Sequence, residues 1–261
     1  MSLNTSFCTI AYRKQEGLPL PKILEQVKEA GYGGAELWWP HVEKLSEAQL
    51  AETKATLARL GLKVPMLSGY LGNFNLPMTN REEMLERTRQ AAPVAAKLGA
   101  PLLRAFAGWT CECSSLTAGE PYWKFNLEGF SEMCRIAGDY GLDIAIETHS
   151  GTLCDSVAGC LRLAEHCGPR IKFNLQLDDI AKNSKLPNGL AVYRALGERV
   201  AHAHVPPVLE GAEREEWSGV LKAMQAGGFP GFVSIEHCKG DGDTFEIAKT
   251  GRRLLREITG A

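Results

Sequence analysis

Three side chains of the 261-residue chain have the types and placement for chemistry on a small molecule: Glu147, His204 and Glu236. Each closes a short apolar run, at residues 142–147, 200–204 and 231–236. Carboxylate oxygen and imidazole nitrogen together suit one divalent ion, Mn²⁺, Mg²⁺, Co²⁺ or Zn²⁺. Such an ion polarises a carbonyl or enolate oxygen. A neighbouring carboxylate, Glu147 or Glu236, can then take a proton from the adjacent carbon. Taken singly, each glutamate reads more readily as a helix cap or a surface charge. Thr148, His149 or Ser150 can cap whatever helix follows Glu147. The expectation of a site rests on finding all three at strand ends.

Other polar residues fall in corresponding places. Arg104 lies in the run 101–106, and a guanidinium pairs bidentately with carboxylate or phosphate. That points either to an acidic or phosphorylated substrate, with Arg104 in its recognition, or to an Arg104 that merely bridges neighbouring carboxylates. His149 follows Glu147 by two positions, and Trp38, His41, Tyr70 and His202 are the candidates for lining the substrate. Trp38 and Tyr70 are also ordinary packing residues, and His41 and His237 also suit plain surface. Strand alternation puts Ala145 with Glu147, His202 with His204 and Ser234 with Glu236 on one face each. The small neighbours leave room beside the carboxylates.

The elements that must position these groups follow a repeated punctuation. An amphipathic stretch ends at a glycine, and an apolar run follows at once. This occurs at Gly31, Gly61, Gly99, Gly141, Gly168, Gly197 and the Gly227-Gly228 pair. The runs read as buried strands at 34–38, 62–67, 101–106, 142–147, 171–176, 200–204 and 231–236, with one more at 7–12 before the first helix. Eight strands alternating with about eight helices predict an α/β fold, specifically a closed (β/α)₈ TIM barrel spanning 1–261 as one domain. An open doubly wound sheet fits less well, because it has fewer strands and no G-x-G-x-x-G opens a helix. In a barrel, residues at the carboxyl ends of strands form the active site.

Net charge is −2, without long charged blocks, so neither nucleic acid nor an anionic membrane is expected as partner. Eight scattered cysteines without a C-x-x-C pair, no signal peptide and no transmembrane-length run predict a cytoplasmic protein with reduced thiols. Cys111 and Cys113 are spaced C-x-C and read as inert loop thiols. The Trp38-Trp39 region and the "WTCECSS" loop are places where a homo-oligomer could make contact.

Over nearly its whole length the chain resembles the xylose isomerase-like barrels, the group of sugar isomerases and epimerases that also contains type-2 AP endonucleases. The resemblance is carried in order by "GYGGAELW", "LLRAFAG", "IAIETHSGTLCDS", "IKFNLQLDD", "VAHAHV" and "FVSIEH". Within that group, "SFCTIAYR", "ELWWPHVEKL" and "MLSGYL" are similar to the bacterial 3-dehydroshikimate dehydratase type. The resemblance implies one divalent ion held by Glu147, Gln176, His204 and Glu236, with Arg104 facing a substrate oxygen or carboxylate and His149 and Tyr70 lining the pocket.

Two positions depart from that pattern. Gln176 stands where the family has an aspartate, which removes one negative charge; Asp178 or Asp179 is the expected replacement. Val205-Pro206-Pro207 stands where relatives carry a lysine or aspartate. The expected function is isomerisation or epimerisation of a small polyhydroxylated carbonyl substrate by metal-assisted enolisation. The alternatives are a dehydratase of the 3-dehydroshikimate type and a metal-free barrel that only binds a ligand. A DNA-repair endonuclease is disfavoured by the lack of a basic footprint.

Overall fold

The computed structural model describes residues 2–15, 17–109 and 113–260; Cys111 lies outside them. Eight parallel strands close a barrel in chain order. They are β1 (Asn4–Cys8), β2 (Gly34–Trp38), β3 (Leu67–Leu71), β4 (Leu102–Ala105), β5 (Asp143–Glu147), β6 (Ile171–Leu175), β7 (Val200–Val205) and β8 (Phe232–Ile235). The ring is sealed by β1 pairing with β8, Ser6 opposite Ser234. The surrounding helices are α1 (Leu20–Glu29), α2 (Glu47–Leu60), α3 (Arg81–Leu98), α4 (Glu120–Gly138), α5 (Val157–Cys167), α6 (Ile180–Asn183), α7 (Gly189–Leu196), α8 (Gly211–Ala226) and α9 (Thr244–Thr259). Two of them, α6 and α7, share the single connection between β6 and β7. Among the described residues no helix is long and apolar enough to cross a membrane.

Each helix-to-strand joint expected from sequence carries a glycine with positive φ. At Gly99 the need is plain: φ 77° at the end of α3 is the left-handed cap that lets the chain turn straight into β4. Two strands lie elsewhere than the apolar runs predict. The run 7–12 becomes the end of β1 followed by a 3₁₀ turn, Thr9–Tyr12, with all four residues buried. Apolar periodicity does not separate a buried strand from a buried turn. Of the run 62–67 only Leu67 enters β3, and Lys63 makes an isolated bridge with Gly34. Pro65 has no N–H to donate, so the β3 ladder begins beyond it.

The two faces of the strands differ in chemistry. Outward residues such as Leu37, Leu103, Ile144, Ile146, Phe173, Val205 and Ile235 join the helices in one large apolar core. Inward residues are polar over most of the barrel: Ser6, Glu36, Ser68, Arg104, Glu147, Asn174, His202, His204 and Ser234 are all buried. Among the described residues only a small plug of Met66, Leu102 and Ala145, with Ala201, makes an apolar cluster apart from the main core. Burying this many polar groups is unfavourable unless they satisfy one another, so the interior is organised for something other than stability.

Close packing holds the last strand. Gly251 on α9 faces β8, and a Cβ there would sit 2.7 Å from Ile235 Cγ2 and 2.8 Å from Cγ1. Gly251→Ala gains helix propensity of about 1 kcal/mol, but overpacking a filled core costs about 1–3 kcal/mol. The expected net result is destabilisation of roughly 1 kcal/mol in denaturant melts. A more stable variant would show that α9 can lift off β8.

Candidate active site at the carboxyl end of the barrel

The polar interior rises to a cluster at the strand ends. His204 Nδ1, on β7, lies 3.2 Å from Glu147 Oε2 on β5 and 3.2 Å from Glu236 Oε2, just past β8. Nδ1 is buried and has no hydrogen-bond partner. A ring nitrogen and two carboxylate oxygens thus converge, all within 4.8 Å of one another. An orphaned ring nitrogen facing two carboxylates fits a divalent ion, so the residues present are suited to hold one.

Arg104, on β4, turns onto the same carboxylates. Its Nη1 donates to Glu147 Oε2 at 3.1 Å and to Glu236 Oε1 at 2.7 Å, with only 2% of its side chain exposed. Asn174 Nδ2, on β6, donates to Glu147 Oε2 at 2.9 Å. Beneath them, Glu36 on β2 reaches the other nitrogens of the histidine pair. Its Oε2 is 2.9 Å from His202 Nε2 and its oxygens are both 3.0 Å from His204 Nε2. Ser68 donates a further hydrogen bond to Glu36 Oε1.

These contacts set the charges. Burial alone would lower His204, but Glu236, Glu36 and Glu147 outweigh it and hold the imidazole well above its usual value. Burial pushes Glu236 up, yet His204 and Arg104 prevail and bring it down to about 2. Glu36 is likewise held well below the carboxylate range, because the two histidines overcome its burial. For His202 burial wins over the attraction of Glu36, and its value falls. The cluster therefore holds Glu36 and Glu236 ionised and favours positive charge beside them.

A cavity of about 240 Å³ opens above the cluster, lined by Glu147, Glu236, Arg104, Gln176, His149 and Tyr70, with Arg13 and Lys239 also on its wall. One side is a stack of aromatic rings. Tyr70, Phe106 and Trp109 lie within 9° to 17° of parallel, with centroids 5.2–5.8 Å apart. His149 stands edge-on to Phe106 and Trp109. On the other side of Glu236 a second cavity runs past Gln176, His204, Pro206 and Trp217.

The structure thus brings together Glu147, His204, Glu236, Arg104, Gln176, His149 and Tyr70. It places the other sequence candidates apart. Trp38 packs edge-on against His41, and His41 Nδ1 lies 3.1 Å from Thr9 Oγ1; neither lines the cavities beside Glu236. His202 is fully buried below the cluster, against Glu36. Asp178 accepts from Gln176 Nε2 at 3.1 Å and Asp179 from Ser150 Oγ at 3.2 Å, and neither belongs to a ligand cluster among the described residues. From the sequence, Arg13, Asn174 and Glu36 carry no assigned role, and Trp109 figures only in the loop where a homo-oligomer could make contact. For Glu36 the signal existed: Ala35 and Leu37 pack outward, so the residue between them must point into the barrel.

A family model described as "Xylose isomerase-like TIM barrel" matches residues 24–258. The 3-dehydroshikimate dehydratase of Bacillus anthracis is 26% identical over 203 residues, 76% of this chain and 70% of that protein. Fructoselysine 3-epimerase of Escherichia coli O157:H7 is 25% identical over 204 residues, 72% of this chain and 71% of that one. Among solved structures, a probable 3-dehydroshikimate dehydratase involved in petrobactin synthesis, also from Bacillus anthracis, superposes with a TM-score of 0.82. It shares 22% identity over 98% of each chain.

Proposed function

Because the chain belongs to the xylose isomerase-like TIM barrel family, we propose that it enolises a small polyhydroxylated carbonyl substrate with the help of one divalent ion, as an isomerase or epimerase. Its relatives are named as a dehydratase and epimerases, and it is an enzyme of that broad type. The observation that carries the reading is the convergence of Glu147, Glu236 and His204 Nδ1 on one point below the cavity. Glu147, His204 and Glu236 would hold the ion, with the Gln176 amide oxygen as a neutral fourth ligand. When bound there, a divalent ion supplies Lewis-acid polarisation of a carbonyl oxygen.

The remaining work falls to the chain's own residues. Glu147 and Glu236 approach the same point from different strands, so one can take a proton at carbon while the other returns it. Arg104 binds both and holds them in place. The Tyr70–Phe106–Trp109 stack offers a flat apolar wall to one face of a sugar or ring. His149 Nδ1 is 2.8 Å from the Ser150 carbonyl oxygen, which fixes its ring at the cavity edge.

A second reading, dehydration of a cyclic hydroxy-keto acid, is favoured by Arg13 and Lys239 on the cavity wall. With Arg104 engaged by two carboxylates, these are the cations left to meet a substrate anion. Both readings share the enolising step and differ in what leaves. The test is a panel of ketoses, inosose-like cyclitols and 3-dehydroshikimate, assayed in D₂O with Mn²⁺ or Co²⁺ and after chelation. Epimerisation is expected to give a product of the same skeleton carrying one solvent deuteron, and activity that needs the ion. A product lighter by one water, from 3-dehydroshikimate alone, would replace the first reading with the second. Protein that neither takes up an ion nor turns over any member of the panel would leave a ligand-binding barrel.

A further inference from the structure

One buried carboxylate plays no part in the proposed chemistry. Glu36 is 0% exposed, and its two oxygens are occupied by partners from two other strands. Ser68 of β3 donates to Oε1, and His202 of β7 lies 2.9 Å from Oε2. Between them, His204 Nε2 sits 3.0 Å from both oxygens. A carboxylate clamped in this way has no freedom to swing up into the cavity.

An imidazole presents one nitrogen to a cation only when its other nitrogen carries the proton, and the hydrogen bond at that second nitrogen decides which is which. Glu36 accepts the hydrogen bond of the His204 Nε2–H. That leaves Nδ1 as the free atom, and Nδ1 is the one that faces Glu147 and Glu236 without a hydrogen-bond partner of its own.

The charges lead to the same residue by a separate route. Gln176 brings no charge to the ligand set, and Asp178 and Asp179 are engaged by Gln176 and Ser150 instead of joining it. Glu36, Glu147 and Glu236 against the single Arg104 guanidinium leave two negative charges in the buried cluster. That is the complement of one dication with a neutral His204.

We propose that Glu36 is the positioning residue of the metal centre: it commits His204 to ligate through Nδ1 and supplies from below the third carboxylate charge that Gln176 withholds. The inference rests on the reading of the site as a divalent-ion centre. It assigns Glu36 no contact with substrate.

The experiment is Co²⁺ titration of chelator-stripped protein, followed by calorimetry and by the visible spectrum of the bound ion. Glu36→Gln keeps the side-chain volume and removes the charge. Its Co²⁺ affinity is expected to fall roughly 10- to 100-fold, as for lost outer partners of ligating histidines, with an altered visible spectrum. Ser68→Ala keeps the charge and loosens the clamp, and is expected to weaken binding less, in the same direction. It also covers the case in which Glu36→Gln does not fold. ¹⁵N-labelled histidine gives a readout that a merely structural role would not move: in the wild type His204 carries its proton on Nε2 and the ion on Nδ1. Wild-type affinity in both variants, or an ion found on Nε2, overturns the proposal while leaving the metal reading intact. A wild-type protein that binds no Co²⁺ overturns both.

Discussion

Glu236→Gln is expected to lower turnover about 10²- to 10⁴-fold, the range for loss of a positioned general acid or base. Glutamine keeps the shape and removes the charge that His204 and Arg104 hold ionised. The fold is expected to survive, because Arg104 still has Glu147 and His204 still has Glu36. Glu147→Gln is expected to fall within the same range. The pair of variants also separates the two readings. If the carboxylates work from opposite sides in an epimerisation, neither single variant makes product, and each still exchanges with D₂O the proton of one epimer only, the two variants acting on opposite epimers. If the reaction is a dehydration with a single base, one variant loses exchange and the other retains it. Near-wild-type turnover in either variant, with the ion bound, removes that glutamate from the chemistry.

The barrel and the upper half of the site were legible because each rests on a local rule. A glycine past a helix end reports a left-handed cap whatever surrounds it, and such caps at Gly31, Gly61 and Gly99 recur at the interval of a β/α unit. Glu147 and Glu236 were legible because each ends an apolar run. The misplacement of β1 and β3 has an equally local cause: hydrophobicity reports burial, and Thr9–Tyr12 is buried as a turn. What stayed hidden depends on closure of the sheet. Glu36 and His202 are 166 residues apart, and only the ring of strands sets them 2.9 Å from one another. Arg104 shows the same limit. Its type predicts an anionic partner, and in the structure it donates to Glu147 and Glu236. From the sequence alone that preference fits either a substrate anion or neighbouring carboxylates, and only the closed barrel sets Glu147 and Glu236 within its reach.

Arg104→Met is expected to cost about 3–5 kcal/mol of stability, because it leaves two buried carboxylates without their shared cation. Methionine fills much of the same space beside Tyr70 and Phe106, which now lie 5.7 Å and 5.1 Å from the guanidinium carbon, so the loss is electrostatic more than steric. For a domain of this size the melting temperature should drop on the order of 10 °C. The sign of the ion's effect then distinguishes a structural arginine from one tuned to a metal. In the wild type the guanidinium and a bound dication would share the charge of Glu147 and Glu236. Without the guanidinium the dication has no competitor, so it should bind more tightly and restore stability. An ion at a hundredfold excess over its Kd contributes about 2.7 kcal/mol, enough to recover much of the deficit. Thermal melts of wild type and Arg104→Met, with and without Mn²⁺, check this. The variant should show the larger ion-dependent rise in Tm. A variant that melts within 2 °C of wild type after chelation, or gains no more from Mn²⁺ than wild type does, would mean that Glu147 and Glu236 need no cation between them. The convergence at His204 Nδ1 would then be packing and not a metal site.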